Sequence, residues 1–285
     1  MEPFLSVIIP TFNAVRYVGE CLSSVASQFG DDVEVIVQDA GSTDGTAEVF
    51  DRYRPILSRV DVRSDHGQSD AIDHGVQLAR GRFITWLNAD DVLMPGTLSA
   101  LRKAARVHPA VEWWVGDTAV LDSKGCVKSA TRAGNLIYSA YVRFVSVYGP
   151  SSFFTKRMYD AVGGIDLSFH YMMDTDLWNR FVTQGFSYKR LRHYAWGFRQ
   201  HEGSKTTAHM FAEQKHDPFD SAEYRKNAER LECYLRHGAL GGAFRERVSL
   251  TYAKAARTLS FSLPLQILDN TRNRGRHWSA FEQWP

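Results

Sequence analysis

Acidic residues follow three segments that read as strands in this chain: Asp39 after Val33 to Val37, Asp65 after Val60 to Arg63, and Asn88-Ala-Asp-Asp91 after Phe83 to Leu87. In an open α/β sheet, ligands bind in the crevice beyond the carboxyl ends of the strands. One Asp in such a loop is ordinarily just solvated, whereas three in successive strand-to-helix connections point to a ligand. Asn88, Asp90 and Asp91 form a compact set of oxygen ligands suited to a hard divalent cation, Mg²⁺ or Mn²⁺, that also grips phosphate oxygens. Carboxylates are too few for an all-protein calcium cage and EF-hand spacing is missing, so a diphosphate has to supply the remaining ligands.

Positioning these groups requires strands and helices in alternation. Phe4 to Pro10 is a continuous apolar run ended by proline, and Val18, Leu22, Val25 and Phe29 then recur at helical spacing. Val33 to Val37 predicts a second strand, and the turn Gly41-Ser-Thr-Asp-Gly45 leads into a helix from about Thr46 to Tyr53. A third strand is expected over Val60 to Arg63. A helix follows over Gln68 to Arg80, with Ala71, Ile72, Val76 and Ala79 on one face and Gly81 as its stop, before a fourth strand over Phe83 to Leu87. That order implies a mostly parallel sheet with helices on both faces. After Pro95 the pattern becomes α+β: a helix to about His108, then a hairpin of Val111 to Leu121 and Cys126 to Ala130 around Asp122-Ser-Lys-Gly125. Trp113 and Trp114 are adjacent, so in a strand they point to opposite faces and only one is expected to face the core. Leu177, Phe181 and Val182 predict a helix over Asp174 to Gln184, and Tyr188 to Phe198 reads as a strand. From Ser204 onward the sequence is polar, then helical, without a repeat.

Composition excludes several classes. A chain of 285 residues with 44% hydrophobic content buries one large core, and 34 Lys and Arg against 32 Asp and Glu leave a charge of +2, too balanced for a nucleic-acid partner. Cys21, Cys126 and Cys233 are far apart with no CxxC spacing, which argues against a disulfide framework and a zinc site and fits a reducing cytoplasm. The N-terminal apolar run is too short for a signal peptide, and no stretch reaches the roughly 18 apolar residues of a membrane span. A dinucleotide-dependent oxidoreductase lacks its GxGxxG after the first strand. A nucleotidyltransferase lacks its Gly-rich basic loop, since Thr11-Phe-Asn-Ala-Val15 holds neither Gly nor Lys. A non-catalytic nucleotide-sugar-binding protein is the remaining rival, against which Asp174 and Asp176 argue.

The segments Ser6-Val-Ile-Ile-Pro-Thr-Phe-Asn13, Asp39-Ala-Gly-Ser-Thr-Asp-Gly45, Asp65-His-Gly-Gln-Ser-Asp-Ala71 and Leu87-Asn-Ala-Asp-Asp91 resemble, in order and spacing, the signature blocks of family 2 glycosyltransferases with a GT-A fold. The likeness continues through Val162-Gly-Gly-Ile-Asp166, Met173-Asp-Thr-Asp-Leu-Trp178 and His201-Glu-Gly-Ser-Lys-Thr206. It implies a Rossmann-like GT-A domain over residues 1–207, with a donor half to about 95 and an acceptor half beyond it, and a C-terminal helical extension over 208–285. It further implies an inverting transfer from a nucleotide-sugar donor to a saccharide or lipid-linked acceptor, in polysaccharide or lipid-linked oligosaccharide synthesis.

By that resemblance Pro10, Thr11 and Phe12 border the nucleoside and Asp39 faces the base, where a carboxylate accepting an imide N–H favours UDP or dTDP over GDP. Asp65, Gly67, Gln68 and Ala71 lie under the base and ribose. Asn88 takes the first position of the family's Asp-x-Asp motif, Ala89 the second, and Asp90 the metal-ligating last one. The Asn departs from the family and lowers the charge of the site. His201 closes over the diphosphate as a second metal ligand, Asp91 is a secondary candidate, and Lys205, Arg199 and Lys189 are possible phosphate neighbours. Asp174 matches the catalytic base, preceded by Met173 where the family has Glu, with Asp176 as fallback. Tyr148-Gly-Pro-Ser-Ser-Phe-Phe154 falls at the family's acceptor-side wall, although Phe153 and Phe154 also suit the core. Val248, Tyr252, Ala255 and Leu259 recur at helical spacing beside Arg245, Arg247, Lys254 and Arg257. Such a helix either packs on the catalytic domain or a second subunit, or attaches a cytoplasmic enzyme peripherally to the inner face of the membrane. The oligomeric state is left open.

Overall fold

The apolar N-terminal run forms β1, Leu5–Thr11, buried along its whole length. The computed structural model describes residues 2–133, 147, 149–205, 228–233, 236, 237 and 262–280. The alternation that follows is α1 (Val18–Ala26), β2 (Val33–Asp39), α2 (Thr46–Arg52), β3 (Arg59–Val62), α3 (Gln68–Leu78) and β4 (Phe83–Trp86). β1 pairs in parallel with β2 on one side and β4 on the other, and β3 adds in parallel to β2. α3 stops at Leu78, because Ala79 is already extended, so Gly81 is not its cap. Glycine is needed there for another reason: a Cβ on Gly81 would lie 2.5 Å from the Ser6 backbone nitrogen.

The sheet then changes character. β5 (Val92–Leu93), α4 (Thr97–Val107), β6 (Trp113–Leu121), β7 (Val127–Thr131), β8 (Ser152–Phe154), α5 (Lys156–Ala161), α6 (Met173–Thr183) and β9 (Lys189–Arg199) complete the first 200 residues. The strand order is β3-β2-β1-β4-β8-β6-β9-β5, with β7 on β6. β8 runs antiparallel between β4 and β6, β5 antiparallel to β9 and β7 antiparallel to β6, so the sheet is mixed, with its longest ladders parallel. Three-residue β8 and two-residue β5 carry no periodicity, which is why sequence pattern does not reveal them.

Helices cover both faces, and among the described residues two large cores form, with a smaller third around Met94, Leu121 and Trp278. Val7, Leu22, Val35, Leu101, Trp114 and Phe153 belong to one; Ile8, Ile72, Trp86, Trp113, Phe154 and Trp178 belong to the other. Trp113 and Trp114 do point to opposite faces, but both are buried, because neither face is left to solvent. The expectation of a single core-facing Trp fails for that reason. Phe153 and Phe154 are core as well, and Trp178 stacks on Trp86 with centroids 5.5 Å apart.

Helix α7 (Ser262–Asn273) packs on the β6–β7 hairpin. Asp269 Oδ2 accepts from Tyr194 Oη and Arg132 Nε, both at 2.6 Å, and Asn270 Oδ1 accepts from the Ala130 N–H. Among the described residues, no helix is long and apolar enough to cross a membrane. Tyr148, the boundary near residue 207 and the basic helical pattern over 245–259 lie outside the described residues.

Candidate functional site

Register places the expected nucleoside residues side by side. Thr11 pairs with Asp39 and Asp39 with Val62, so the carboxyl ends of three parallel strands form one edge. Pro10 and Thr11 close β1, and Phe12, just beyond, is 62% exposed. The loops after β1 and β2 are tied together: Asn13, at φ +46°, accepts from the Thr43 N–H and donates its own N–H to Ser42 Oγ. Asp39 is buried and accepts from the N–H groups of Gly41 (3.2 Å) and Ser42 (2.9 Å) and from Ser42 Oγ (2.5 Å). A carboxylate offers about four acceptor positions, so roughly one remains on Asp39.

The α3 N-terminus supplies the next group. Gly67, at φ +108°, precedes the helix in a conformation that disfavours any side chain, and its N–H donates to Asp65 Oδ1 at 2.8 Å. Gln68 Nε2 donates to Asn88 Oδ1 at 2.6 Å, joining the α3 start to the loop after β4. Ala71 and Ala89 are both buried, small residues at those two places.

In the loop after β4 the acidic residues divide their work. Asp91 turns inward, accepting from the Arg199 N–H (2.8 Å) and from Asn88 Nδ2 (2.9 Å), and burial together with the charge of Asp90 pushes its carboxyl well above the usual range. That corrects its candidacy as a metal ligand, because its lone pairs hold the loop. Asn88 is likewise spent on Gln68 and Asp91. Asp90 stays at the surface of the edge, and its Oδ2 lies 3.0 Å from His201 Nε2. The two expected metal ligands therefore converge from positions far apart in sequence. His201 Nδ1 accepts the Gly203 N–H at 3.2 Å, which puts the ring proton on Nε2, facing Asp90. A divalent cation fits this pair once that proton moves to Nδ1, at the expense of one long hydrogen bond.

Arg199 explains why the two meet. Its side chain is fully buried, with Nε donating to the Asp90 carbonyl at 2.9 Å and Nη2 to Glu20 at 2.7 Å, and its guanidinium lies 4.9 Å from the Tyr17 ring centroid. Trp278, in the C-terminal segment, donates to the same Glu20 carboxylate. Arg199 is thus committed to the loop rather than to a phosphate. Lys189 begins β9 while Arg199 ends it, roughly 30 Å along an extended strand, and it contacts His108 instead. Of the three basic candidates only Lys205 adjoins the site. Its Nζ donates to Gln68 Oε1 at 3.1 Å and to the His170 carbonyl, and burial pulls its pKa down to about 8 against the charges of Glu229 and Asp174.

Asp174 is the second residue of α6 and does not cap it; Met172 holds the cap position. Its Oδ1 accepts from the Thr175 N–H at 2.6 Å, and Oδ2 from the Gly149 N–H at 3.1 Å. Burial raises its pKa, opposed by those hydrogen bonds and by Lys205. Asp176 faces elsewhere: it is 2% exposed, with Oδ2 accepting from Arg180 Nε at 2.7 Å and Oδ1 lying 2.9 Å from His237 Nε2. Both residues have their oxygens hydrogen-bonded, but Asp176 is buried and held by charged side chains while Asp174 is only partly buried, which leaves Asp174 the better placed of the two base candidates. A residue that sequence reasoning missed is Glu229, whose Oε2 accepts the N–H groups of His170, Tyr171 and Met172 at the start of α6. No local pattern marks it, because its partners lie more than fifty positions earlier.

Comparison with known proteins bears on the family and the fold. Residues 6–118 match the family described as "Glycosyl transferase family 2". A "PGL/p-HBAD biosynthesis glycosyltransferase" of Mycobacterium bovis is 27% identical over 178 residues, which is 61% of this chain and 68% of the relative. "Glycosyltransferase GlyG" of Streptococcus pneumoniae is 30% identical over 104 residues, 35% of each chain. Among solved structures, TarS 1-349 of S. aureus in complex with UDP-GlcNAc aligns with a TM-score of 0.62 at 19% identity, covering 93% of this chain and 77% of that one. The mannosyltransferase PcManGT of Pyrobaculum calidifontis, in complex with GDP-Man and Mn²⁺, aligns with a TM-score of 0.53 at 16% identity, covering 100% and 88%. At such identities the structural likeness establishes the fold.

Proposed function

Given that the chain carries a family 2 glycosyltransferase domain on a GT-A fold and is a glycosyltransferase, we propose that it transfers a sugar with inversion from a UDP- or dTDP-sugar to a hydroxyl of a saccharide or lipid-linked saccharide. The observation that carries this reading is the convergence of Asp90 and His201 on one part of the strand edge, with Lys205 joined to the same loop through Gln68 and Asn88 and Asp174 within electrostatic reach of Lys205. Peripheral attachment at the cytoplasmic face, near a lipid-linked acceptor, belongs to the same reading.

In that reaction the acceptor oxygen bonds to the anomeric carbon as the bond to the donor phosphate breaks. The hydroxyl proton passes to the Asp174 carboxylate, and the diphosphate leaves with the electron pair. Asp90 and His201 would hold Mn²⁺ or Mg²⁺, which supplies positive charge at the departing diphosphate. Lys205 adds a cation on the α3 side. Asp39 has about one acceptor position to offer, which suits the single imide N–H of uracil or thymine better than the paired donors of guanine.

A thermal-shift screen of nucleotide sugars with Mn²⁺ tests the donor class. A UDP- or dTDP-sugar at a hundred times its dissociation constant is expected to add about 2.7 kcal/mol of stability. Stabilisation by GDP-sugars alone would overturn the base assignment, and stabilisation by none would overturn the donor reading. Gly149→Ala tests how the base is held. The new Cβ would lie 2.9 Å from Trp86 Cζ2 and 3.1 Å from Asp174 Oδ2. A base displaced by a fraction of an ångström to 1 Å is expected to cost up to about 10²-fold in kcat while donor affinity stays unchanged. Unaltered kcat would show that Gly149 does not position Asp174.

A further inference from the structure

Helix α6 carries its second carboxylate into a separate buried cluster. Asp176 meets there Cys233, in the helical residues 228–233, and His237, four positions on, whose N–H donates to the Cys233 carbonyl at 3.2 Å. Side chains four apart on a helix share a face. One carboxylate oxygen of Asp176, the Cys233 sulfur and a ring nitrogen of His237 all lie within 4.8 Å of one another. Cys233 is 1% exposed and Asp176 2%.

We propose that Asp176, Cys233 and His237 form a second metal site, for a soft or borderline cation of the Zn²⁺ type, distinct from the site at Asp90. The donor set decides the class of ion. Mg²⁺ and Mn²⁺ prefer oxygen, whereas a thiolate, an imidazole and a carboxylate together are a Zn²⁺ set. Bonds of about 2.0 to 2.3 Å in a tetrahedron put ligand atoms roughly 3.3 to 3.8 Å apart, so the Asp176–His237 pair, now a 2.9 Å hydrogen bond, has to open by a few tenths of an ångström while the other separations, within 4.8 Å, close by about 1 Å at most. Its surroundings match what orients metal ligands elsewhere. Arg180 Nε fixes the other oxygen of Asp176, and Arg180 Nη1 is anchored on the carbonyls of Val162 and Gly164. The remaining nitrogen, Nη2, is buried with no acceptor among the described residues. A water in the fourth coordination position is one acceptor that chemistry can supply there.

The ion would fasten the 228–237 segment to the helix that bears Asp174. Glu229 already joins them by accepting N–H groups at the start of α6, and Arg236 ties the same segment to Asp166, which precedes that helix, at 2.5 Å. Cysteine spacing argued against zinc because it counts cysteines. Here a single Cys-x3-His pair is completed by an Asp from another element.

The test is Co²⁺ titration of the chelator-stripped full chain, followed by visible and near-ultraviolet absorption. The expected result is the intense visible spectrum of tetrahedral Co²⁺ with a thiolate-to-metal charge-transfer band, both displaced by one equivalent of Zn²⁺. The band should vanish in Cys233→Ser, weaken at least about 10²-fold in apparent affinity in His237→Gln, and persist in Asp90→Ala, whose site contains no thiolate. Circular dichroism of each variant before titration separates lost binding from lost fold. If Cys233→Ser does not fold, zinc analysis of the parent decides, with about one ion per chain expected alongside the charge-transfer band. No such band in the folded parent, or one that survives Cys233→Ser, overturns the proposal.

Discussion

Replacing Asp174→Asn is expected to slow sugar transfer by about 10² to 10⁴-fold with donor affinity nearly unchanged, the range over which general bases contribute. The amide keeps the shape, and its one oxygen can keep the Thr175 N–H while the longer bond from the Gly149 N–H is given up, but it cannot take the acceptor's proton. Unfolding will not mimic the loss. Burial raises the folded pKa of Asp174 above its unfolded value. The contribution of that carboxyl to stability is therefore full below the unfolded pKa and is lost as pH rises through the folded one. Where the carboxyl is ionised the parent holds a charge in an unfavourable place, and relief of that charge offsets the one hydrogen bond the amide gives up, so the variant should stay folded. The same raised pKa governs rate: activity falls on the acid side as Asp174 protonates, at a pH above the ordinary carboxylate range. Single-turnover kinetics across pH measure both effects. Near-normal turnover in Asp174→Asn would remove it as the base, and Asp176 is the poorer placed of the two, because Arg180 and His237 hold that buried carboxylate.

The second large effect is expected from Asp90→Ala, which should abolish the metal dependence of nucleotide binding. Asp90 is the carboxylate of its loop whose oxygens are not consumed by the fold, since Asp91 is buried under Arg199. Changing a residue that merely supports a metal ligand commonly costs 10 to 10²-fold in affinity, and loss of the ligand itself should exceed that. Calorimetric titration with UDP, with and without Mn²⁺, is the measurement. The parent should bind far more tightly with the ion, and the variant should bind equally weakly in both cases. The fold should survive, because the Asp90 to His201 contact is a partly exposed pair of the kind that contributes about 1 kcal/mol or less. A variant that still gains affinity from Mn²⁺ would move the ion away from Asp90.

Much of this site is legible along the chain because its parts are local. Strands β1, β2 and β4 announce themselves by apolar runs, with the alternating Arg59–Val62 of β3 beside them, and a ligand edge at their carboxyl ends follows from parallel pairing, so Asp39, Asp65 and Asp90 stand out once the strands are drawn. Glycine at position 67 reflects a local backbone demand, a positive φ before α3. The site blocks resemble a family for the same reason: each is a short loop whose chemistry and geometry are written in adjacent residues.

What only the tertiary structure decides are the choices between residues of one type and the partners drawn from afar. Asp90 and Asp91 are neighbours with the same side chain, and which one is free depends on β9 delivering the Arg199 N–H to Asp91. Asp174 and Asp176 are separated in the same way, by Gly149 on one side and by Arg180 and His237 on the other. Trp113 and Trp114 are both buried because the second face of the sheet is covered by elements that follow much later in the chain. Glu229 and Trp278 reach back to the start of α6 and to Glu20, giving the polar C-terminal region structural work that composition did not suggest. Periodicity and motif spacing record how a segment meets solvent and its own neighbours. Burial and hydrogen bonding across the fold set which carboxylate keeps its charge available, and no local pattern carries that information.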